Sequence, residues 1–109
     1  MFYKKNRKNY KQAFEGVSYK TLAWGDKTSL GEFHLKKGID VPNHSHHNEQ
    51  TGYMVSGKMT FTIDGVNHET VPGDSWSIPG NVEHSVKVHE DSVVIEVFSP
   101  VREEYLPEK

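Results

Sequence analysis

The sequence predicts an all-β protein, a single-domain jelly-roll or double-stranded β-barrel. Gly, Pro, Asn and Asp recur about every eight to twelve residues from Trp24 onward, which is the spacing of short strands joined by turns. The segments between these turns alternate polar and apolar residues, and none has a convincing helical period. Because about eight short strands in so small a chain must hide their edges, a closed or nearly closed antiparallel barrel is expected.

Alternation identifies the individual strands. SLGEFHL (29–35) and KMTFTI (58–63) each place one set of side chains on a core face. The dipeptide Asp64-Gly65 suits the positive φ angles of a tight hairpin turn, so VNHETV (66–71) is predicted to run back along the preceding strand.

Three further strand candidates follow, and the start of the chain is ambiguous. The candidates are DSWSI (74–78), HSVKV (84–88) and SVVIEVF (92–98). The last is the most apolar and is predicted to be central. KQAFEGVSYKTLAW (11–24) allows a short helical turn ahead of its strand.

Length and composition indicate one domain. The chain has 109 residues, 34% of them hydrophobic, which suffices for one modest core. We therefore expect a single domain over residues 1–109. It would comprise an N-terminal arm of about residues 1–20, a barrel of about residues 21–100 and a C-terminal tail of residues 101–109.

Charge and cysteine content exclude several classes of function. Thirteen basic and fifteen acidic residues give a formal net charge of −2, so no nucleic-acid partner is expected. Neither a signal-peptide core nor an apolar run of membrane-spanning length is present, so no membrane partner is expected. The lack of cysteine excludes disulfides and thiolate metal sites, and it fits a cytoplasmic protein.

The stretch HSHHNEQ (44–50) contains candidate metal ligands. In an extended segment alternate side chains share a face, so His44 and His46 can converge on one ion while His47 points away. The same parity places Gln50 with the two histidines and Glu49 opposite. An alternative remains, in which Glu49 is the ligand and Gln50 only supports it.

A third histidine completes the candidate site. His84 follows the turn Pro79-Gly80-Asn81, and in a barrel its strand can lie beside the one that carries His44 and His46. Three neutral imidazoles and the amide oxygen of Gln50 form a neutral set of ligands for one divalent transition metal. The set accepts zinc, nickel, manganese, iron or cobalt.

These motifs resemble those of small single-domain cupins. The first cupin motif reads GIDVPNHSHHNEQTGYMVSG (38–57), and the second reads GDSWSIPGNVEH (73–84). Asn81 replaces the second glycine of the Pro-x-Gly turn region, and Val88 stands where the family has a terminal Asn. Gln50 occupies the usual glutamate position, so a bound metal would be a stronger Lewis acid and less suited to redox chemistry.

The tail EVFSPVREEYL (96–106) extends the resemblance to cupins of pectin and alginate breakdown, which act on 4,5-unsaturated uronates. That group has the same His, His, Gln, His set and ends in an acidic residue, Phe and Arg at this spacing. The resemblance implies Glu96, Phe98 and Arg102 as catalytic residues, with Glu96 where the group has Asp. The alternative is that Arg102 only forms a surface ion pair with Glu103, Glu104 or Glu108.

Three functions follow from these observations. The first is a metal-dependent isomerase or lyase-like enzyme on a small acidic sugar, possibly a uronate. The others are a cupin dioxygenase or other redox enzyme and a non-catalytic binding module.

Six residues are candidates for the cavity lining: Phe33, Met54, Met59, Phe61, Trp76 and Phe98. His34, His68 and His89 match no motif position.

A homodimer is expected, in which the segment MFYKKN (1–6) of each chain pairs as a strand with the sheet of the other.

Overall fold

Eight antiparallel β-strands and one short 3₁₀ turn make up the regular structure of residues 1–107, the part of the chain that the computed structural model describes. The strands are β1 (Lys11–Phe14), β2 (Val17–Trp24), β3 (Ser29–Leu35), β4 (Asp40–His44), β5 (Glu49–Ile63), β6 (Val66–Thr70), β7 (Ser75–Ile78) and β8 (His84–Ser99). The 3₁₀ turn covers Glu103–Tyr105. The prediction of an all-β fold is confirmed. Within these residues no helix has the length and apolar character needed to cross a membrane.

The two long strands, β5 and β8, organise the fold. They pair antiparallel along nearly their whole length, and the strand order is β1-β2-β3-β8-β5-β6. The first part of β8 also pairs with β4, whereas its later part pairs with β3. Each long strand therefore contributes to two walls of the barrel, and the predicted central position of residues 92–98 is observed.

Two strand predictions were wrong in their boundaries. Residues 84–88 and 92–98 belong to one continuous strand, because the polar residues between them stay paired, with Glu90 opposite Lys58. The strand predicted at 58–63 begins at Glu49 and passes through irregular pairing near Ser56 and Lys58. Long-range pairing has overridden local signals that resemble a turn.

The start of the chain also differs from the expectation. Residues 11–24 form a hairpin of β1 and β2 rather than a helical turn followed by a strand. The sheet therefore starts inside the segment assigned to an arm of about residues 1–20. Residues before β1 lie along the sheet, where Tyr3 donates a hydrogen bond to the Trp24 carbonyl (3.0 Å) and Lys20 donates to the Asn6 carbonyl (2.7 Å).

Turn chemistry at two corners is as the sequence predicts. Asp64 and Gly65, between β5 and β6, have φ angles of 50° and 78°, as a tight hairpin of this type requires. Asn81, in the turn before His84, has φ of 67°. Asn tolerates this left-handed conformation better than most residues, which explains its use in place of glycine.

The apolar core lies between the walls of the barrel. Its buried members are Val17, Tyr19, Phe33, Leu35, Met54, Met59, Phe61, Ile78, Val88, Val94 and Phe98. They alternate with outward-facing residues along β2, β3 and the later part of β8. Buried polar residues, among them Gln50 and His84 of the candidate site, occupy further positions inside the barrel.

Candidate metal centre

Three histidines converge inside the barrel. His44 ends β4 and lies opposite His84, the first residue of β8, while His46 follows two residues later in the loop before β5. The ring centroids are 4.3 Å apart for His44 and His84, and 5.0 Å apart for His46 and His84. One ring nitrogen from each histidine lies within 4.8 Å of the corresponding nitrogens of the others.

Backbone carbonyls fix the orientation of all three rings. Each ring places Nδ1 at hydrogen-bond distance from a carbonyl two residues away in the chain, so Nδ1 carries the proton and donates it. The bonds are His44 to Pro42 (2.8 Å), His46 to Asn48 (3.0 Å) and His84 to Val82 (2.9 Å). In a neutral imidazole this arrangement leaves the Nε2 lone pair for another partner, as in metal-binding histidines.

Two buried polar atoms at this site lack a partner. His46 Nε2 and Gln50 Oε1 make no hydrogen bond within residues 1–107, and Gln50 is only 3% exposed. Buried polar atoms are normally satisfied because an unpaired one loses its hydration without compensation. A divalent cation accepts lone pairs from imidazole nitrogen and amide oxygen, so the residues present fit such an ion.

The other candidate residues in the motif lie elsewhere. Glu49 is exposed and faces away from the histidines, and His47 is exposed as well. His34, His68 and His89 are not part of the cluster. The structure thus brings together His44, His46 and His84 with Gln50, and it leaves Glu49 outside.

Burial favours the neutral form of two of the clustered histidines, His46 and His84. Desolvation lowers the pKa of His84 to about 4, against the opposing effect of its hydrogen bond to the Val82 carbonyl. Desolvation also lowers the pKa of His46, and the charge of Arg102 acts in the same direction. Neutral imidazoles are the form that binds metals.

Glu96 is linked to the same site through Gln50. The Gln50 side-chain amide donates to Glu96 Oε2, and the Trp76 indole N–H donates to the same oxygen at 3.1 Å. Burial nevertheless raises the pKa of Glu96 to about 7, although the two donors and the charge of Arg102 favour the ionised form. Because the NH₂ end of the Gln50 amide donates to Glu96, the carbonyl oxygen at the other end is unpartnered and available to a cation.

Arg102 is neither a free surface residue nor the direct partner of Glu96. Its side chain is 14% exposed and its Nε donates to Glu104 at 3.0 Å, so the predicted pairing with a tail carboxylate occurs, but in a partly buried position. A pairing with Glu108 lies outside the described residues. The guanidinium carbon is 5.0 Å from the Phe98 ring centroid and 4.2 Å from that of Tyr105, both within cation–π range.

One cavity connects these groups. Its volume is about 270 Å³, close to the lower end of small-molecule sites, which span roughly 300 to 1,000 Å³. The lining includes the polar side chains of His44, Gln50, Trp76, His84, Glu96 and Arg102, whereas His46 does not line the cavity. Of the predicted lining residues, Phe33, Met59, Phe61 and Trp76 line the cavity, whereas Met54 and Phe98 do not. Phe98 instead packs on His46, with ring centroids 5.9 Å apart.

Sequence reasoning missed two residues of this region. Asn48 is 1% exposed, and its side chain donates to the Pro100 carbonyl at 2.7 Å, which ties the histidine loop to the start of the tail. Tyr105 lines the cavity beside Arg102. The signal that could have identified Tyr105 is its three-residue spacing from Arg102, because side chains three residues apart align on one side of a 3₁₀ turn.

Fold and site together define the class of protein. The family model described as a cupin domain matches residues 31–99, which is more than half of the chain. The protein therefore belongs to the cupin family.

Relatives of known structure or description resemble the chain over most of its length. The pectin degradation protein KdgF of Dickeya dadantii (strain 3937) is 30% identical over an alignment of 94 residues, and the match covers 84% of this chain and 86% of that protein. The structure of KdgF from Halomonas sp. matches with a TM-score of 0.90 at 26% identity and covers 97% of this chain and 100% of that one. An RmlC-like cupin from Shewanella frigidimarina NCIMB 400 matches with a TM-score of 0.86 at 25% identity, covering 92% and 90%. The chain is a small cupin that resembles KdgF.

Proposed function

We propose that this cupin is a metal-dependent enzyme that opens the ring of a small acidic sugar of the 4,5-unsaturated uronate type. The observation that carries the proposal is that one cavity is lined by three of the four candidate metal ligands (His44, Gln50 and His84), a buried carboxylate and a cation. The resemblance to KdgF, described as a pectin degradation protein, supports a sugar acid as the substrate class.

The metal ligands proposed are His44, His46, Gln50 and His84. Their support is the cluster of ring nitrogens together with the unpartnered His46 Nε2 and Gln50 Oε1. Zinc, nickel, manganese, iron and cobalt all suit this donor set. When bound, the ion supplies Lewis acidity that polarises substrate oxygens.

Arg102 is proposed to bind the substrate carboxylate. Guanidinium pairs with carboxylate through charge-assisted and often bidentate hydrogen bonds, and Arg102 lines the cavity. Phe98 supports this role from behind, since its buried ring contacts both Arg102 and His46. Phe98 is thus proposed to position these two residues rather than to touch the substrate.

Glu96 is proposed to move the proton that ring opening requires. The anomeric hydroxyl loses its proton as the bond between C1 and the ring oxygen breaks, and the enolate left at C5 becomes a ketone when C4 takes up a proton. One proton leaves oxygen and one reaches carbon, so the change is an isomerisation to the linear 5-keto form. A carboxyl group whose burial raises its pKa to about 7 can both accept and return a proton near neutral pH.

The proposed functional unit is a homodimer of single domains spanning residues 1–109. Phe2 is 88% exposed, and the N-terminal segment forms no strand within its own chain before Lys11. Strand β1 lies at an edge of the sheet, where an additional strand can pair. Analytical ultracentrifugation tests this directly, and a monomer at micromolar concentration would contradict it.

The activity is tested with protein purified without a metal-binding tag. Bound metals are quantified, and the absorbance of a 4,5-unsaturated uronate is followed with and without chelator. We expect the absorbance to fall faster than in the spontaneous reaction, and we expect chelator to remove the acceleration. No acceleration by the metal-loaded protein would exclude this function.

A cupin dioxygenase is the second candidate, and the lining of the cavity favours it. Apart from its six polar residues the cavity is bounded largely by apolar side chains, among them Phe33, Phe61 and Val94, which suit an aromatic substrate. Oxygen consumption with aromatic diols would support this function. Tight metal binding with no turnover in either assay would instead identify a binding module.

A further inference from the structure

The segment after β8 reaches the cavity through two side chains, Arg102 and Tyr105. The Tyr105 N–H donates to the Arg102 carbonyl at 3.0 Å, which closes a single 3₁₀ turn and aligns the two side chains. The guanidinium carbon lies 4.2 Å from the centroid of the Tyr105 ring, a cation–π contact. Tyr105 is thus the nearest aromatic neighbour of the cavity's cation.

Two buried hydroxyl groups hold this turn against the barrel. Thr21 on β2 donates to the Tyr105 carbonyl at 2.7 Å, and the Arg102 N–H donates to Ser29 Oγ on β3 at 3.1 Å. Thr21 is 6% exposed and Ser29 is 3% exposed. Because buried hydroxyls are unfavourable without a partner, undocking the turn leaves both of them unsatisfied.

The Tyr105 ring is itself packed against the core. Its centroid lies 4.3 Å from that of Tyr19 and 5.7 Å from that of Phe33. Glu104, whose side chain is 60% exposed, accepts the Nε–H of Arg102 from the solvent side. Packing on one side and this ion pair on the other restrict the guanidinium to one orientation beside the cavity.

We propose that Tyr105 is a positioning residue that fixes Arg102 for carboxylate recognition, and that the turn thereby sets a preference for anionic over neutral ligands. A pre-oriented guanidinium loses less side-chain freedom when it binds a carboxylate. The inference deepens the proposed function, since it rests on Arg102 receiving the acid group of the substrate, but it concerns binding rather than turnover.

The test compares an acid with its neutral ester. Metal-loaded full-length protein is titrated by calorimetry with D-galacturonate and with methyl D-galacturonate. We expect Tyr105→Leu to weaken binding of the acid by roughly tenfold while binding of the ester changes by less than about twofold. Tyr105→Phe retains an aromatic face and is expected to restore the preference. Tyr53→Leu, an exposed aromatic on β5 outside the cavity, is the matched control.

Each outcome decides the inference. The inference is overturned if Tyr105→Leu binds the acid as the parent protein does, or if it loses acid and ester binding equally. It is also overturned if Tyr105→Phe fails to restore acid binding, or if the parent protein has no preference for the acid. If Tyr105→Leu does not fold, Thr21→Val frees the turn without altering the cavity lining, and acid binding at least about threefold weaker is then required. A protein inert toward unsaturated uronates that still loses its acid preference in Tyr105→Leu would refute the proposed function and support this inference.

Discussion

Two regions of this protein that contain histidine differ in whether the polar atoms at their centre have hydrogen-bond partners. In the outer histidine network, formed by Tyr10, Glu32 and His34, the His34 Nε2 lies 2.6 Å from Glu32 Oε2, and the Tyr10 hydroxyl donates to that oxygen at 2.7 Å. In the barrel, His46 Nε2 has no partner within residues 1–107. In the outer network His34 Nε2 and Glu32 Oε2 are partnered without a ligand, whereas in the barrel His46 Nε2 and Gln50 Oε1 are left for a group that accepts their lone pairs.

The carboxylates of the two regions show how burial decides charge. Glu32 and Glu96 each accept two hydrogen bonds from side chains. Partial burial raises the pKa of Glu32, but the donors from His34 and Tyr10 outweigh it and the net pKa is lowered. At Glu96 burial outweighs the donors, and the pKa rises to about 7. The same number of donors therefore leaves one carboxyl ionised and the other able to exchange a proton near neutral pH.

Removing one histidine from each region should give the largest contrast. His44→Ala is expected to lower metal affinity by more than about 100-fold, since loss of a ligand exceeds the 10- to 100-fold effect of losing an outer partner. His34→Ala is the matched control and should keep the metal. Calorimetric titration of metal-free protein measures both affinities. Equal affinities in the two variants would remove the distinction between the regions.

Neutralising one carboxyl in each region tests catalysis. Glu96→Gln is expected to lower kcat by roughly 10²- to 10⁴-fold, because the proton-transfer group is lost while the hydrogen-bonding shape is largely kept. Glu32→Gln should leave kcat unchanged. Steady-state rates on the unsaturated uronate, at matched metal content, give the comparison. A Glu96→Gln variant with parental kcat would show that Glu96 only supports Gln50.

Gln50→Glu tests whether the unpartnered oxygen of Gln50 is a metal ligand. The new carboxyl would contact Glu96, so in the metal-free protein the two would share a proton. Because carboxylate ligands suit manganese better than an amide does, the preference between manganese and zinc should move toward manganese by roughly tenfold. Competitive metal loading measures this ratio. Unchanged metal content and affinity would indicate that Gln50 is not a ligand.

The pH dependence of stability in metal-free protein should be the smallest effect. His84 has a folded pKa of about 4 against 6.5 when unfolded, so the unfolded chain binds the extra proton and stability falls as pH drops from 6.5 toward 4. Glu96 has a folded pKa of about 7 against 4.5, so its contribution is present at low pH and is lost as pH rises through 7.

Two variants separate these opposing contributions. Relative to the parent protein, Glu96→Gln should steepen the loss of stability on acidification. His84→Asn should lessen that loss, to which His46 and Glu32 still contribute. Urea unfolding of the two metal-free proteins across this range gives the slopes. Slopes that change in the same direction from the parent protein in both variants would contradict the assignment of burial as the cause.

Local patterns predicted the candidate ligands, while the groups around them depended on long-range pairing. The spacing of His44 and His46 and the turn at Asn81 are local, so alternation and turn chemistry were sufficient to predict which side chains converge. The contacts of Glu96 with Gln50 and Trp76 join three strands, β8, β5 and β7, whose register no local pattern specifies.

The same reason explains the errors in strand boundaries. Polar residues between positions 88 and 92 have the composition of a turn, but β5 continues to pair with them. Tyr105 was missed because its role depends on a turn docked by buried hydroxyls on two distant strands. The three-residue spacing of Arg102 and Tyr105 is a local signal, but the docking of their turn onto β2 and β3 leaves none in the sequence.

The central claim is that the four candidate ligands of the barrel bind one divalent cation. Diffraction data collected at the zinc absorption edge, from crystals grown with zinc, test it most directly. We expect one anomalous peak about 2.0 to 2.2 Å from Nε2 of His44, His46 and His84 and from Oε1 of Gln50. An anomalous map with no peak among these residues, or with a peak bound instead by Glu49 or His47, would contradict it.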